Sequence, residues 1–589
     1  MSLREPRSVT ITVLPGVLGA AALLGLLDVG IHGRGLDAST SAPSVVLGIA
    51  LAGLPALVLA AVLALAPRGL SAALQHRRAR LAAGLGAGCM VLAPLAAAAL
   101  GAARYETPAL PARAPGGSPA QGIPARDPPH VVLIVLDTLR ADHLGAYGGP
   151  RDASPSFDAL AAQATLFERC FAQAAWTVPS HASLFTGLYP VSHGASFEHA
   201  RRLDDRFQTL AEWLHESGYR TAAFVANPHL AVANLHQGFE LYRELAAPFS
   251  TLLLRRPLSV LGGPARWTDE GAAQAVRELG TFLTDYGEQG DAAPLFLFVN
   301  LLEPHWRHLP PYAERREALA ATGGYLAGTL ASTRFYGPLA MARGGLDEPA
   351  ELAALRALYG AEVRYQDRLL GQLVELLETH LGLDGTLLLV TADHGENLGE
   401  GGRFDHVFAL NDHLIRVPML IRYPPRFDAG ARRRELCQLV DVPATLRDVL
   451  GHAVSARDAG RSLAAGAPAA SRFAYAEGDP YLEHLDRMSR AAGPKRDLSD
   501  LAAPLRSVRD ARYKLVWSAR RGSVLFDLSE DADELHDVAA EHPERRDALE
   551  RELRRWYESQ PHYEPDARAP ATALDDAVRA RLEALGYAP

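Results

Sequence analysis

A hydroxyl, a few carboxylates and a set of imidazoles carry the chemistry open to this sequence. Thr177 lies two residues ahead of Pro179 in Trp176-Thr177-Val178-Pro179-Ser180-His181. Proline suits a first helical turn, so free N–H groups and the positive end of a helix dipole would face any anion bound there. A hydroxyl so placed can attack an anionic ester. The plainer alternative is that Thr177 or Ser180 only caps the helix. Elsewhere, carboxylates and imidazoles recur in short clusters: Asp137, Glu303-Pro304-His305 and Asp393-His394-Gly395-Glu396.

Strands must deliver these clusters. His130–Leu136 is a continuous apolar run ending at Asp137, the pattern of a strand buried on both faces of a parallel sheet. Open α/β sheets hold their ligands at such carboxyl ends. Further strands are expected at Arg220–Ala226, Leu295–Leu301, Thr386–Thr391 and Val417–Arg422, with helices near 207–217, 267–286 and 351–380. Strands alternating with helices imply a sheet covered on both faces. From about 470 the pattern shifts to short segments, Arg472–Ala476, Leu505–Val508, Tyr513–Ser518 and Val524–Leu528, then a charged helix near 543–558. They read as a small antiparallel subdomain.

With 589 residues, the chain exceeds one ordinary domain, and its net charge of -9 argues against a broad nucleic-acid surface. Three apolar runs near 9–31, 44–66 and 81–103 are each long enough to span a hydrocarbon core, which needs about 20 helical residues. Arg4, Arg7, Arg68, Arg77, Arg78 and Arg80 flank one side of these spans, against Arg34, Arg104 and Arg113 on the other. The positive-inside rule then makes the N-terminus cytoplasmic and everything after the third span extracytoplasmic, whether periplasmic or at the cell surface. The expected organisation is a membrane anchor at 1–104, a Pro/Ala/Gly-rich linker at 105–129, a catalytic domain at 130–465, and a C-terminal subdomain with a helical tail at 466–589. Of the three cysteines, Cys170 and Cys437 form the only pair outside the apolar segments, and two free buried thiols are expected.

Several separate motifs in one order resemble the sulfatase branch of the alkaline phosphatase superfamily over roughly 130–560: VLDTLRADHLGAYG at 135–148, TVPSHASLFTGLYP at 177–190, EPH at 303–305, TADHGENLGEGG at 391–402, RVPMLIRYP at 416–424, and the stretches at 508–517 and 525–539. The resemblance implies a three-layer αβα sandwich with a mixed, mostly parallel sheet. It implies a divalent metal held by Asp137, Asp393 and His394, with Thr177 completing the shell. Hard carboxylates with one imidazole suit a cation that binds an ester oxygen and lowers a nucleophile's pKa. Many sulfatases carry a second Asp where this chain has Thr138, which leaves calcium, manganese and zinc open. His305 matches the family's substrate-contacting His, and His406 stands where relatives place a Lys or His at the ester or leaving oxygen. His181 completes the catalytic candidates. Glu396 and Asn397 are expected to hold the Asp393-His394 turn, while Asn227 and His229 are assigned to a loop.

The nucleophile departs from the family pattern. Sulfatases carry Cys or Ser in C/S-x-P-x-R, which is converted to formylglycine. Here the positions read Thr177-Val178-Pro179-Ser180-His181, and a secondary alcohol cannot yield that aldehyde. The Thr resembles the superfamily's phosphodiesterases and phospho-group transferases, where an alkoxide attacks phosphorus directly. The leading reading is a membrane-anchored hydrolase or transferase of phosphate esters or diesters, on a small-molecule, lipid or glycan substrate. A sulfate-ester hydrolase working without formylglycine and an inactive sulfatase-like binding protein are the alternatives, and the oligomeric state is open.

Overall fold

The computed structural model describes residues 127–565 except for internal segments, the longest at 246–270 and 323–345. The three apolar runs and the linker up to 126 lie outside the described residues, as does the tail from 566. No helix among the described residues is long and apolar enough to cross a membrane.

In chain order the strands are β1 (His130–Leu136), β2 (Thr165–Phe167), β3 (Cys170–Phe171), β4 (Arg220–Val225), β5 (Leu241–Glu244) and β6 (Leu295–Leu301). Next come β7 (Thr386–Thr391), β8 (Asn397–Leu398), β9 (Phe404–Asp405), β10 (Arg416–Val417), β11 (Met419–Arg422), β12 (Arg432–Arg433) and β13 (Cys437–Gln438). The last four are β14 (Ala474–Gly478), β15 (Leu505–Arg509), β16 (Tyr513–Ser518) and β17 (Gly522–Asp527). An eight-stranded sheet has the order β12-β2-β11-β7-β1-β6-β4-β5. β7, β1, β6, β4 and β5 run parallel, while β11 is antiparallel to both β7 and β2.

Every residue of β1, β6 and β7 is buried, as the centre of a sheet covered on both faces requires. The expected strand at Val417–Arg422 is split, because Pro418 has no N–H for a ladder: β10 pairs with β3 in a separate small sheet, and β11 joins the large one. β5 is an edge strand with partly exposed residues and too short a pattern for the sequence to reveal. Helices Ala272–Gln289 and Pro349–His380 cover the sheet. β14 to β17 form an antiparallel sheet in sequential order, backed by helix Pro543–Ser559. Cys170 and Cys437 are free, buried and opposed in the β3/β13 ladder.

Candidate active site and metal centre

The carboxyl ends of β1, β6 and β7 converge, and the site is built there. Asp137 continues the ladder beyond β1, its N–H donating to the Leu301 carbonyl at 2.9 Å. Thr138 then takes a left-handed backbone (φ 52). That turn aims its N–H at Asp393 Oδ1, 3.1 Å away, and its carbonyl at the Tyr359 hydroxyl, 2.8 Å away. The residue standing in for the family's second Asp therefore serves the site through its backbone.

Asp393 and His394 follow β7. Gly395 is required beside them, since a Cβ would come within 2.0 Å of the His413 carbonyl oxygen, and its N–H donates to the Leu414 carbonyl at 2.7 Å. His394 Nδ1 lies 2.9 Å from the Gly395 carbonyl. A carbonyl only accepts, so Nδ1 carries the proton and Nε2 presents a lone pair. Nε2 faces Asp393 Oδ2 at 3.3 Å and Thr177 Oγ1 at 3.5 Å.

Thr177 is the first residue of the buried helix Thr177–Thr186, with extended Trp176 as its N-cap. The capping alternative is thereby corrected: Thr177 already has helical geometry, and Ser180 Oγ donates instead to the Asp393 carbonyl at 2.6 Å, tying this helix to the end of β7. His181 is fully buried one turn along. Its Nδ1 lies 2.9 Å from the Thr177 carbonyl and 3.4 Å from Asp393 Oδ2, and its ring meets Phe185 and Phe298 edge-on. This sets His181 beside Thr177 and against the Asp393 carboxylate, with its Nε2 buried and without a hydrogen-bond partner.

Asp137, Asp393 and His394 can bring one ligand atom each within 4.8 Å of one another. Asp137 Oδ1 and Asp393 Oδ2 are buried without a hydrogen-bond partner. Burial, eased by the Asn227 and Asn300 amides, raises the Asp137 pKa to about 6. Burial and the neighbouring Asp137 push Asp393 well above the usual carboxylate range. Two crowded carboxylates with bare oxygens, beside an imidazole lone pair, fit a divalent cation that would neutralise them.

Asn227 corrects the loop assignment: its Nδ2 donates to Asp137 Oδ2 at 2.8 Å and lies 3.4 Å from Thr177 Oγ1. Asn300, whose Nδ2 lies 3.3 Å from the same Asp137 oxygen, escaped sequence reading. Its one signal was an amide inside the apolar run of β6. His229 stays close, its N–H donating to Asn227 Oδ1.

His406 lies with its ring centroid 4.8 Å from that of His394 and 4.9 Å from that of His305. Burial would lower its pKa, yet Asp405 and Glu396, 3.0 and 3.3 Å from Nδ1, outweigh burial and raise it to about 9. His305 points Nδ1 at the Trp306 carbonyl and is held well below the ordinary histidine value by burial and by His406. Glu396 thus orients His406, and its own carbonyl accepts from Arg140. Asn397 is corrected as well: it pairs with Asn411 and does not hold the Asp393-His394 turn.

The sulfatase family pattern matches residues 129–452, more than half of the chain, and the pattern described as N-sulphoglucosamine sulphohydrolase, C-terminal, matches 399–559. Iduronate 2-sulfatase of Mus musculus is 25% identical, over 58% of this chain and 72% of its own length. The multifunctional alkaline phosphatase superfamily protein PehA of Trinickia caryophylli is 25% identical, over 70% and 91%. The phosphonate monoester hydrolase of Agrobacterium radiobacter superposes with a TM-score of 0.56 at 25% identity, over 73% of this chain and 96% of that one. A mostly parallel sheet with a hydroxyl, carboxylates and imidazoles gathered at its strand ends defines an ester hydrolase of the alkaline phosphatase superfamily. Within it the chain belongs to the sulfatase family, whose enzymes are metal-dependent.

Proposed function

We propose that this hydrolase or group transferase acts on phosphate esters or diesters, with unmodified Thr177 as nucleophile. The observation that carries the reading is a threonine hydroxyl set against His394 Nε2 and the Asn227 amide, beside two buried carboxylates with unpartnered oxygens. Asp137, Asp393, His394 and Thr177 would hold the metal ion. When bound, a divalent cation supplies Lewis-acid polarisation of an ester oxygen and a lowered pKa for the Thr177 hydroxyl. Calcium, manganese and zinc remain the candidates.

The protein's own groups supply the rest. The Asn227 amide and the first backbone N–H groups of helix Thr177–Thr186 can receive oxyanion charge as it develops. The ionised Thr177 oxygen forms a bond to phosphorus while the bond from phosphorus to the departing oxygen breaks. His406, protonated at neutral pH with Nδ1 engaged by carboxylates, gives its Nε2 proton to that departing oxygen. His305 stands beside it as a contact for the ester. Water or an acceptor alcohol then attacks the phosphothreonine, breaking its phosphorus–oxygen bond and freeing Thr177; its proton returns through His406. Water makes the protein a hydrolase and an alcohol makes it a transferase.

The second reading, hydrolysis of sulfate esters without formylglycine, is favoured by relatives named as sulfatases. Mass spectrometry of the Thr177 peptide after trapping with a reactive phosphodiester, and separately with a sulfate ester, decides between them. A phosphate adduct supports the first reading; efficient sulfate-ester turnover without phosphodiesterase activity hands the site to the second. Thr177→Ser is expected to retain activity and Thr177→Ala to lose nearly all of it.

The chain is further proposed to be a multi-pass membrane protein with this site outside the cytoplasm, acting on small-molecule, glycan or lipid esters. The arginine asymmetry around the three apolar runs supports that reading. A reporter fused after Ala120 is expected to be active only outside, and cytoplasm-only activity would overturn the topology.

A further inference from the structure

The turn after β1 holds a strained residue next to the metal ligands. Thr138 is β-branched yet takes a left-handed backbone (φ 52), a conformation such residues keep only where their surroundings impose it. Its own side chain does not impose it, because Oγ1 is buried without a hydrogen-bond partner. One hydroxyl grips the backbone instead. Tyr359 donates to the Thr138 carbonyl at 2.8 Å and accepts the Arg140 N–H at 2.9 Å. It thus spends its single proton and a lone pair on the two peptide groups that flank Leu139.

Tyr359 is itself fixed. It is fully buried on helix Pro349–His380, with the His143 and His308 rings packed edge-on against it at centroid distances of 4.7 and 5.3 Å. Glu362 and Gln366, three and seven residues further on, lie along the same side of the helix. They reach the loop after β6: Glu362 Oε1 accepts the Leu309 N–H at 2.7 Å, and Gln366 Nε2 donates to the Glu303 carbonyl. One helix therefore grips the loops at the ends of both β1 and β6.

What the turn does for the ligands follows from its N–H. Thr138 N–H donates to Asp393 Oδ1 at 3.1 Å, and His394 N–H donates to the same oxygen at 2.8 Å. Both donors hold Oδ1, while Oδ2 is left without a hydrogen-bond partner. A turn free to relax would withdraw one donor and let the carboxylate rotate.

We infer that Tyr359 is a positioning residue for the metal centre: by holding the strained Thr138 turn, its hydroxyl fixes which Asp393 oxygen is offered to the cation. The inference rests on the assignment of Asp137, Asp393 and His394 as metal ligands.

Manganese, calcium and zinc ions are titrated in turn into the chelator-stripped full chain by calorimetry, and the tightest is carried through the variants. Tyr359→Phe, which removes only the hydroxyl, is expected to weaken metal binding about tenfold or more. Tyr189→Phe removes another buried tyrosine hydroxyl, one that accepts from Gln438 Nε2 at 2.7 Å on a ring packed against Tyr475 and Trp556. That variant is expected to stay within about twofold of wild type. Thr138→Gly should stay within about threefold, since glycine takes the left-handed backbone without strain and keeps both peptide groups. Wild-type affinity in Tyr359→Phe overturns the inference, and so does an equal loss in the two Tyr→Phe variants, which would be general loosening. A tenfold loss in Thr138→Gly would assign the work to the Thr138 side chain and overturn it likewise. If the wild type binds none of the three ions, the ligand assignment falls and takes the inference with it, whereas an unaltered Tyr359→Phe affinity leaves that assignment standing.

Discussion

At Thr177 a single methyl group decides which chemistry is open. The secondary alcohol rules out the formylglycine route, and the direct attack proposed for Thr177 would start from an oxygen that lies 3.5 and 3.4 Å from His394 Nε2 and Asn227 Nδ2. The charge belongs to Asp137 and Asp393, whose buried oxygens lack hydrogen-bond partners. Asp137→Ala and Asp393→Ala are therefore expected to lose both bound metal and activity with little change in circular dichroism; full metal occupancy in both variants would refute the ligand assignment. Asn227→Ala removes the amide that orients Asp137, and a drop of about 10–100-fold in metal affinity is expected, as for other groups that orient metal ligands. Metal titration followed by elemental analysis reads it, and unchanged affinity would return Asn227 to a loop role.

Elements hold these residues by a few long-range contacts, and Arg140 makes several. Buried just beyond β1, it bonds the Glu396 carbonyl at 3.1 Å, Glu400 at 2.8 Å and Asp142 at 2.6 Å. It thereby joins the β1 turn to the loop after β7. Burial would raise the Glu400 pKa, but the Arg140 charge and hydrogen bond outweigh it and hold it below the ordinary value. A carboxyl whose folded pKa is depressed adds stability that is present above its unfolded pKa, about 4.3 for Glu, and lost as pH falls through the folded value. Wild type is thus expected to melt above Glu400→Gln near neutral pH, with the gap closing below about pH 4. A gap that is constant across that range, read by thermal unfolding, would rule out this linkage.

Across the whole molecule, the C-terminal sheet reaches the site through buried charges. Lys514 of β16 is fully buried, its Nζ 2.9 Å from both Asp412 Oδ1 and Glu534 Oε1. Asp412 opens the short helix Asp412–Ile415, whose Leu414 carbonyl accepts the Gly395 N–H beside His394. Removing one partner of a buried ion pair leaves uncompensated charge and costs about 3–5 kcal/mol. Lys514→Met is expected to lose stability on that order, measured by denaturant unfolding, whereas Arg512→Met, at an exposed guanidinium, should change it little. Equal effects from the two would mean that the buried cluster is no more than surface electrostatics.

The sequence by itself determined the sheet centre and the chemical classes. Apolar runs leading to Asp137, Glu303-Pro304-His305 and Asp393-His394 read as strands buried on both faces, because runs of 7, 7 and 6 residues are short for helices and alternate with amphipathic helical stretches. Motif order added the family, and Thr177 the departure from it. Tertiary structure alone decided which polar residues meet. Asn227, Asn300 and Thr138 act on Asp137 and Asp393 through contacts spanning 90, 163 and 255 positions, and no local periodicity encodes a meeting of that kind. It likewise set the His181 ring against Phe185 and Phe298 while bringing its Nδ1 within 3.4 Å of Asp393 Oδ2.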